Sequence, residues 1–331
     1  MSLPEIGFPD CIDNTIRDLA VTCQRKAYYH SFRYLHRREE SIHLHAGGAF
    51  AAGLERTRRA FFEERLPQET AILFGVQALV AHWGDFEPGF PTNKTCENMV
   101  QALHYYFDVW PMEYDTATPY QLTATGKHAI EWKFKVPIPG LVHPDTGGPM
   151  YYVGRSDVIA ACGGLILIQD EKTSTTLGER WQKNWDLDSQ FTGYAWAARE
   201  QGIGADGALI RGISVLTPKF DLHEDPDGPI TKLVRKKEKR YRSNYVRETS
   251  FGHAQSIVYR PAWVVNRWLE QLRRDIQRLI AAYREGYWDY AISKSICAQY
   301  GGCPYTDLCL SEDPELWVEP NYIIRKWDPL A

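Results

Sequence analysis

Two strand-length runs, PMYYVGRSDVIAAC and LILIQDEKTS, stand on either side of Gly163 and Gly164. Paired glycines between two such runs predict a tight hairpin. The second run is apolar to Ile168 and then passes straight into Asp170, Glu171 and Lys172. Strand side chains alternate faces, so Asp170 and Lys172 share one face and Glu171 points to the other. Closing the hairpin at the glycines brings Asp157, thirteen residues before Asp170, close to it. Two carboxylates and an ammonium at the end of a buried hairpin are costly unless they bind something. Carboxylate oxygens suit Mg²⁺ or Mn²⁺, which keep waters and take one or two carboxylates plus substrate phosphates. A lysine beside such an ion can steady an attacking water or the charge growing on a phosphate. The plain alternative is a surface ion pair between Asp170 and Lys172. Taken alone, D-E-K is common enough for that alternative; the neighbouring signals decide against it.

The N-terminal third reads as helical. Ile16, Leu19, Cys23 and Ala27 recur at three- and four-residue steps, with Asp13 or Asn14 available as a cap. Phe50, Leu54 and Phe61 repeat the pattern, and two more helical stretches fall near residues 70–83 and 94–109. Ile130, Trp132, Phe134 and Val136 alternate with Glu131, Lys133 and Lys135, which predicts a half-buried strand. LDSQFTGYAWAARE reads as a helix, GALIRGISVL and HAQSIVYRP as strands. After Pro261, Val264, Trp268, Leu272, Ile276, Leu279 and Tyr283 mark one face of a long helix. This order predicts a single α/β domain over residues 1–331, a small mixed sheet flanked by helices. Within it, residues 56–128 form a largely helical insertion, 129–260 the sheet core and 261–331 a C-terminal helix and cysteine cap.

With a net charge of −4, the molecule is not basic overall, so any nucleic-acid surface must be local. No apolar run approaches the roughly 20 residues a membrane span needs. The opening MSLPEIGFPDC lacks the layout of a secretion signal, which predicts a cytoplasmic protein with no membrane partner. Seven cysteines, an odd number, argue against a disulfide framework. Cys11, Cys96 and Cys162 read as ordinary buried thiols. Cys297, Cys303 and Cys309, evenly spaced in CAQYGGCPYTDLC, ask for a metal and need a fourth partner.

An acid about a dozen residues before D-x-K, then a helix carrying Q-x-x-x-Y, resembles the RecB-like branch of the PD-(D/E)XK nucleases. The matching residues are Asp157, then Asp170, Glu171 and Lys172, then Gln190 and Tyr194. The last two share a helix face and could equally be a packing pair. The resemblance implies a restriction-endonuclease-like core and a metal-dependent deoxyribonuclease. Asp157, Asp170 and the Glu171 backbone carbonyl would ligate one or two Mg²⁺ or Mn²⁺ ions. Lys172 would orient the water or stabilise charge, and Gln190 and Tyr194 would position the DNA backbone. The family's upstream motif G-x-x-x-H-x-x-L-E is met by GGAFAAGLE, with Ala51 where the histidine stands. Glu55, one turn later, is the candidate substitute ligand or else a solvated helix residue; His45 is a weaker substitute.

The stretch LAVTCQRKAYY and the ending C-P-Y-x-x-x-C are similar to AddB-type and CRISPR-adaptation nucleases. That likeness implies a 4Fe–4S cluster on Cys23, Cys297, Cys303 and Cys309, joining first helix to tail. It departs from the usual C-x₂-C opening, since Tyr300 stands three before Cys303. Spacing alone does not choose iron over zinc. For DNA contact the candidates are Arg25 and Lys26, Trp181 with Trp185, and the basic run Arg235, Lys236, Lys237, Arg240, Tyr241 and Arg242, followed by Tyr245. Relatives imply an exonuclease acting on single-stranded or frayed DNA ends, with a separate helicase or recombination partner, and standalone domains of this sort include bacteriophage proteins, which would place the chain in a host cytoplasm. A catalytically inactive DNA-end-binding module and a zinc-stapled interaction protein are the alternatives.

Overall fold

The hairpin forms where the glycines stand: Gly163 (φ 57°) and Gly164 (φ 84°) both take left-handed backbone. The computed structural model describes residues 7–39, 41–90, 92–174, 176–215, 221–224, 241–244, 251–291, 293–298, 302–326, 328 and 330. A seven-stranded sheet runs through it. Its strands are β1 (Cys11–Ile12), β2 (Ala117–Pro119), β3 (Ile130–Val142), β4 (Pro149–Cys162), β5 (Leu165–Ser174), β6 (Gly207–Val215) and β7 (Phe251–Tyr259). Strand β4 carries β3 and β2, both antiparallel, along one edge. Parallel β1 and antiparallel β5 share the other edge. Strand β6 lies parallel to β5, and β7 pairs antiparallel with β6.

The main helices are α1 (Asn14–Thr22), α2 (Ile42–Arg58), α3 (Gln68–Trp83), α4 (Cys96–Val109), α5 (Ser189–Glu200) and α6 (Ala262–Glu285). They cover both sheet faces, as the alternation of strand side chains requires. Ile168 of β5 and Ile210 of β6 share a core with Phe191 and Tyr194 of α5 and Trp268, Leu272 and Ile276 of α6. Ile213 and Val215, on the opposite face, pack with Phe50 and Leu54 of α2, Leu79 of α3 and Leu103 and Tyr106 of α4. The result is a mixed α/β fold, a mixed sheet flanked by helices, as a restriction-endonuclease-like core requires.

Local chemistry sets the helix limits. Asp13, rather than Asn14, caps α1, its carboxylate accepting from the Ile16 amide at 2.7 Å. Helix α1 ends at Thr22, whose hydroxyl turns back to the Asp18 carbonyl at 2.7 Å. Cys23 is extended (φ −163°, ψ 108°), and helical backbone resumes at Gln24–Ala27. The continuous helix expected through Ala27 is therefore broken at the cysteine. On α6 the buried stripe is Val265, Trp268, Leu272, Ile276 and Leu279, with Val264 only half-buried. Asp275 on that stripe pairs with Arg17 of α1 at 3.0 Å.

The basic run falls mostly outside the described residues, Arg235, Lys236, Lys237, Arg240 and Tyr245 among them. Tyr241 and Arg242 belong to a strand, Tyr241–Asn244, paired antiparallel with Asp221–Glu224. Among the described residues, no helix is long and apolar enough to cross a membrane.

Candidate active site

The β4–β5 ladder runs from Cys162↔Leu165 to Val158↔Gln169 and stops there. Strand β5 continues beside β6 to Ser174, and β4 continues beside β3. The two central strands therefore part at the next residues, Asp157 and Asp170. Asp157 Oδ2 accepts from the Glu171 amide at 3.1 Å. Lys172 Nζ lies 2.7 Å from Asp170 Oδ2, an atom that is buried and has no hydrogen bond beyond this ion pair. Burial, and then the Asp170 and Glu171 charges, push the Asp157 carboxyl well above the usual carboxylate range. Burial raises Asp170 as well, with Lys172 opposing. Burial works against the Lys172 ammonium, but Asp170 and Asp157 outweigh it and raise its pKa. Two buried carboxyls share one lysine, so ionising both would leave a negative charge uncompensated, and a bound cation would relieve that.

Helix α5 brings the next pair. The Asp188 carboxylate caps it, accepting from the Phe191 amide at 3.2 Å. Gln190 Nε2 donates to the Tyr194 hydroxyl at 3.3 Å. The Tyr194 hydroxyl is pushed up to about 12, chiefly by burial, with Asp170 and Lys172 among the groups acting on it. A Cβ on Gly154 would stand 2.6 Å from the Phe134 ring and 2.8 Å from that of Tyr194, so glycine lets Tyr194 lie across β4. The hairpin and α5 thus collect Asp157, Asp170, Lys172, Gln190 and Tyr194 in one neighbourhood.

A family profile described as the PD-(D/E)XK nuclease superfamily matches residues 18–310. The chain belongs to that superfamily. It is a nuclease, a hydrolase of phosphodiester bonds. No curated protein matches the sequence significantly. Among solved structures, a protein from Eubacterium rectale described as "Putative exonuclease" is similar at 13% identity, with 86% of each chain covered and a TM-score of 0.43. That likeness is too loose to carry residue assignments across.

One acid beside this candidate site was not marked by the sequence. Glu131 lies on β3 between Ile130 and Trp132, which pair with Val158 and Ser156, and so stands across from Asp157. Its backbone is left-handed (φ 52°), which costs a non-glycine residue roughly 1–2 kcal/mol. Its carboxylate meets Arg155 at 2.8 Å and is only 11% exposed. Burial pushes it up to about 7, Arg155 opposing and Glu55 and Glu171 reinforcing. An acid alternating with apolar strand residues ordinarily faces water, so only the three-strand register exposes this one. Glu55, on α2, comes to the site's margin through Glu131 while pairing with Arg59 at 2.8 Å. His45 is instead stacked on Phe86, with ring centroids 3.9 Å apart.

The aromatic and basic candidates divide differently from expectation. Trp181 is buried, its ring against Gly212, so it serves the core rather than a DNA strand. Trp185 packs edge-on against Trp181 and Phe191. Arg25 bonds the Tyr29 hydroxyl at 3.2 Å and lies 4.5 Å from the Tyr290 ring centre, and both it and Lys26 act on the tail cysteines.

The C-terminal tail is clasped to the segment after Cys23. Strand Leu35–Arg37 pairs with Tyr322–Ile324. Arg37 meets Asp307 at 2.8 Å, and the Tyr305 hydroxyl donates to the Leu35 carbonyl at 2.7 Å. Burial raises the Cys303 thiol, with Cys23 and Cys297 adding to the rise. Burial likewise raises Cys309, with Arg25 opposing and Cys303 and Cys23 adding. Among the described residues, no group of three or more His, Cys, Asp or Glu side chains is placed to hold a metal ion, so Cys23, Cys297, Cys303 and Cys309 are not gathered as the expected cluster would need.

The same clasp carries an acid-sensitive histidine. Burial, then the charges of His36, Lys26 and Arg325, lower the His30 pKa from 6.5 to about 4. Folded, His30 binds protons less readily than it does unfolded. Its stabilising share is therefore present above pH 6.5 and lost as pH falls toward 4. Replacing His30 by glutamine is expected to remove roughly 1–3 kcal/mol of that pH dependence. Melting curves of the two proteins across this range check it, and parallel declines would refute it.

Proposed function

We propose that this nuclease is a divalent-metal-dependent deoxyribonuclease, most simply an exonuclease acting on single-stranded or frayed DNA ends. The observation carrying the reading is the parting of β4 and β5 at Asp157 and Asp170, with the Lys172 ammonium 2.7 Å from Asp170. The donors fit a hard cation: two carboxylates and a nearby main-chain carbonyl, that of Glu171, suit Mg²⁺ or Mn²⁺ better than a soft metal. Such an ion supplies Lewis acidity toward the scissile phosphate and a more acidic water. Asp157 and Asp170 would hold it, with Glu131 and Glu55 adding negative charge at the margin. Lys172, kept charged by two acids, would stabilise the growing negative charge of the transition state. Gln190 and Tyr194 would orient the DNA backbone beside Lys172. The basic run around residues 235–242 is the proposed track for phosphates further along the strand. The 331 residues contain no Walker A loop, so duplex unwinding would fall to a separate motor.

On the resemblance of the cysteine-bearing segments alone, we further propose that the four cysteines would supply thiolate donors to a 4Fe–4S cluster. Cys23 sits at the break between helices; Cys23 and Cys297 act electrostatically on Cys303, and Cys303 and Cys23 on Cys309. The cluster would fasten the tail to the first helical segment, making one nuclease domain of residues 1–331 with 56–128 as its helical insertion.

Digestion of end-labelled single- and double-stranded DNA with Mg²⁺, Mn²⁺ or chelator tests the activity. Lys172→Met is expected to cleave about 10²-fold more slowly at saturating metal. Cleavage that survives chelation, or an unimpaired Lys172→Met protein, would overturn the assignment.

A further inference from the structure

The middle residue of Asp170-Glu171-Lys172 is gripped from the far face of the sheet. Arg58, at the end of α2, is bidentate to it: Nη1 reaches Oε2 at 3.1 Å and Nη2 pairs with Oε1. The Tyr106 hydroxyl of α4 donates to Oε1 at 2.9 Å, and Gln169 Nε2 donates to the same oxygen at 2.7 Å. The Arg58 and Glu171 side chains are 6% and 2% exposed. Burial opposes the Glu171 charge, yet Arg58, Gln169 and Tyr106 hold its carboxyl down at about 2. A second tier braces the first. Arg211 of β6 reaches the Tyr106 hydroxyl at 3.4 Å and pairs with Asp115 at 2.7 Å.

Burying an ion pair adds little stability over an apolar pair of the same size. Leucine at 171 and methionine at 58 would fill the same space without desolvating two charges. What the pair can do, and an apolar pair cannot, is fix rotation about the strand. Glu171 places its side chain on the far face while its main chain borders both acids. Its amide donates to Asp157 Oδ2 at 3.1 Å, and its carbonyl lies between Asp170 and Lys172 in the chain. Beyond Gln169 no hydrogen bond from β4's backbone holds β5 on that edge, so the strand needs another restraint where the metal ligands begin.

We infer that Arg58, Tyr106 and Gln169, acting through the Glu171 carboxylate, are positioning residues that keep the Glu171 amide on Asp157 and aim its carbonyl at the metal centre on the opposite face. This rests on the proposed metal site at Asp157 and Asp170. Outer-shell partners of ligands commonly carry about 10–100-fold of metal affinity, and here they act through the thickness of the sheet.

The test is Mn²⁺ titration by calorimetry on the full chain, with melting temperature and cleavage rate measured in parallel. Arg58→Met alone would strand a buried carboxylate, so the informative variant is Arg58→Met with Glu171→Gln, which removes both charges and keeps an acceptor for Tyr106 and Gln169. It is expected to melt near wild type, to bind Mn²⁺ about tenfold more weakly, and to regain most of its cleavage rate at saturating Mn²⁺. A folded double variant with wild-type Mn²⁺ affinity overturns the inference. If the double variant does not fold, Tyr106→Phe decides: weaker Mn²⁺ binding with an intact melt upholds the inference, and unchanged binding overturns it. Asp170→Asn serves as the reference. Binding equal to wild type in Asp170→Asn removes the metal site itself, and loss of binding there with none in the double variant removes only the positioning role.

Discussion

Asp157→Asn is expected to slow Mn²⁺-dependent DNA cleavage by about 10³-fold or more, while the metal-free protein melts at the same temperature as wild type or higher. The two effects have one origin. The Asp157 carboxyl is buried beside Asp170 and Glu171, and its pKa is raised well above the usual range. A carboxyl with a raised folded pKa binds its proton more tightly in the folded chain than in the unfolded one. Stability is therefore lost as pH climbs from the ordinary carboxylate pKa through the folded one, and the full penalty stands above it. Asparagine has the same shape, offers its carbonyl to the Glu171 amide and carries no such penalty. The variant's melting temperature should accordingly decline less as pH rises through that window. An acid kept only for structure would show the reverse pattern, with a lower melt and little change in rate. Thermal melts in chelator, beside cleavage rates at saturating Mn²⁺, separate the two.

The second large effect is expected at the cysteine clasp. If the proposed iron–sulfur cluster is bound, Cys309→Ser should abolish its visible absorbance and lower the melting temperature by roughly 10 °C or more. The tail has other ties to the body: Arg37 to Asp307, and Arg33 to Glu315 at 2.9 Å. The predicted change is therefore a loosened tail on an intact sheet, with the hydrogen-bonded core still folded. Iron and zinc analysis of the purified wild type reads the metal directly. Stoichiometric zinc without iron would keep the four-thiolate clasp and discard the iron–sulfur cluster. A metal-free wild type with an unaffected Cys309→Ser melt would discard both.

What the sequence could reveal was whatever is local in the chain. The two glycines, the run into Asp170 and the four-residue step from Gln190 to Tyr194 are encoded within a few residues of where they act. Hairpin closure, face alternation and helix geometry then convert that order into proximity. Glu131 escaped because its importance depends on a third strand and on a left-handed backbone that interrupts the alternation. Arg58 and Tyr106 escaped for a similar reason: they lie 113 and 65 residues from Glu171, and no period in α2 or α4 marks them as anything but helix residues. Trp181, a candidate for DNA contact by sequence, lies in the core because the absent side chain of Gly212 makes room for it, a fit between distant residues that the local sequence does not display. The break at Cys23 lies in the extended backbone of that one residue, which apolar spacing does not register.

The central claim is that the parted hairpin holds one divalent ion between its two acids. Crystals grown or soaked with Mn²⁺ and measured at the manganese absorption edge test it most directly. An anomalous peak within coordination distance of the Asp157 and Asp170 carboxylates, on the Lys172 face of the sheet, is the predicted result. A map empty there, or manganese bound elsewhere in a protein that still degrades DNA, would contradict it.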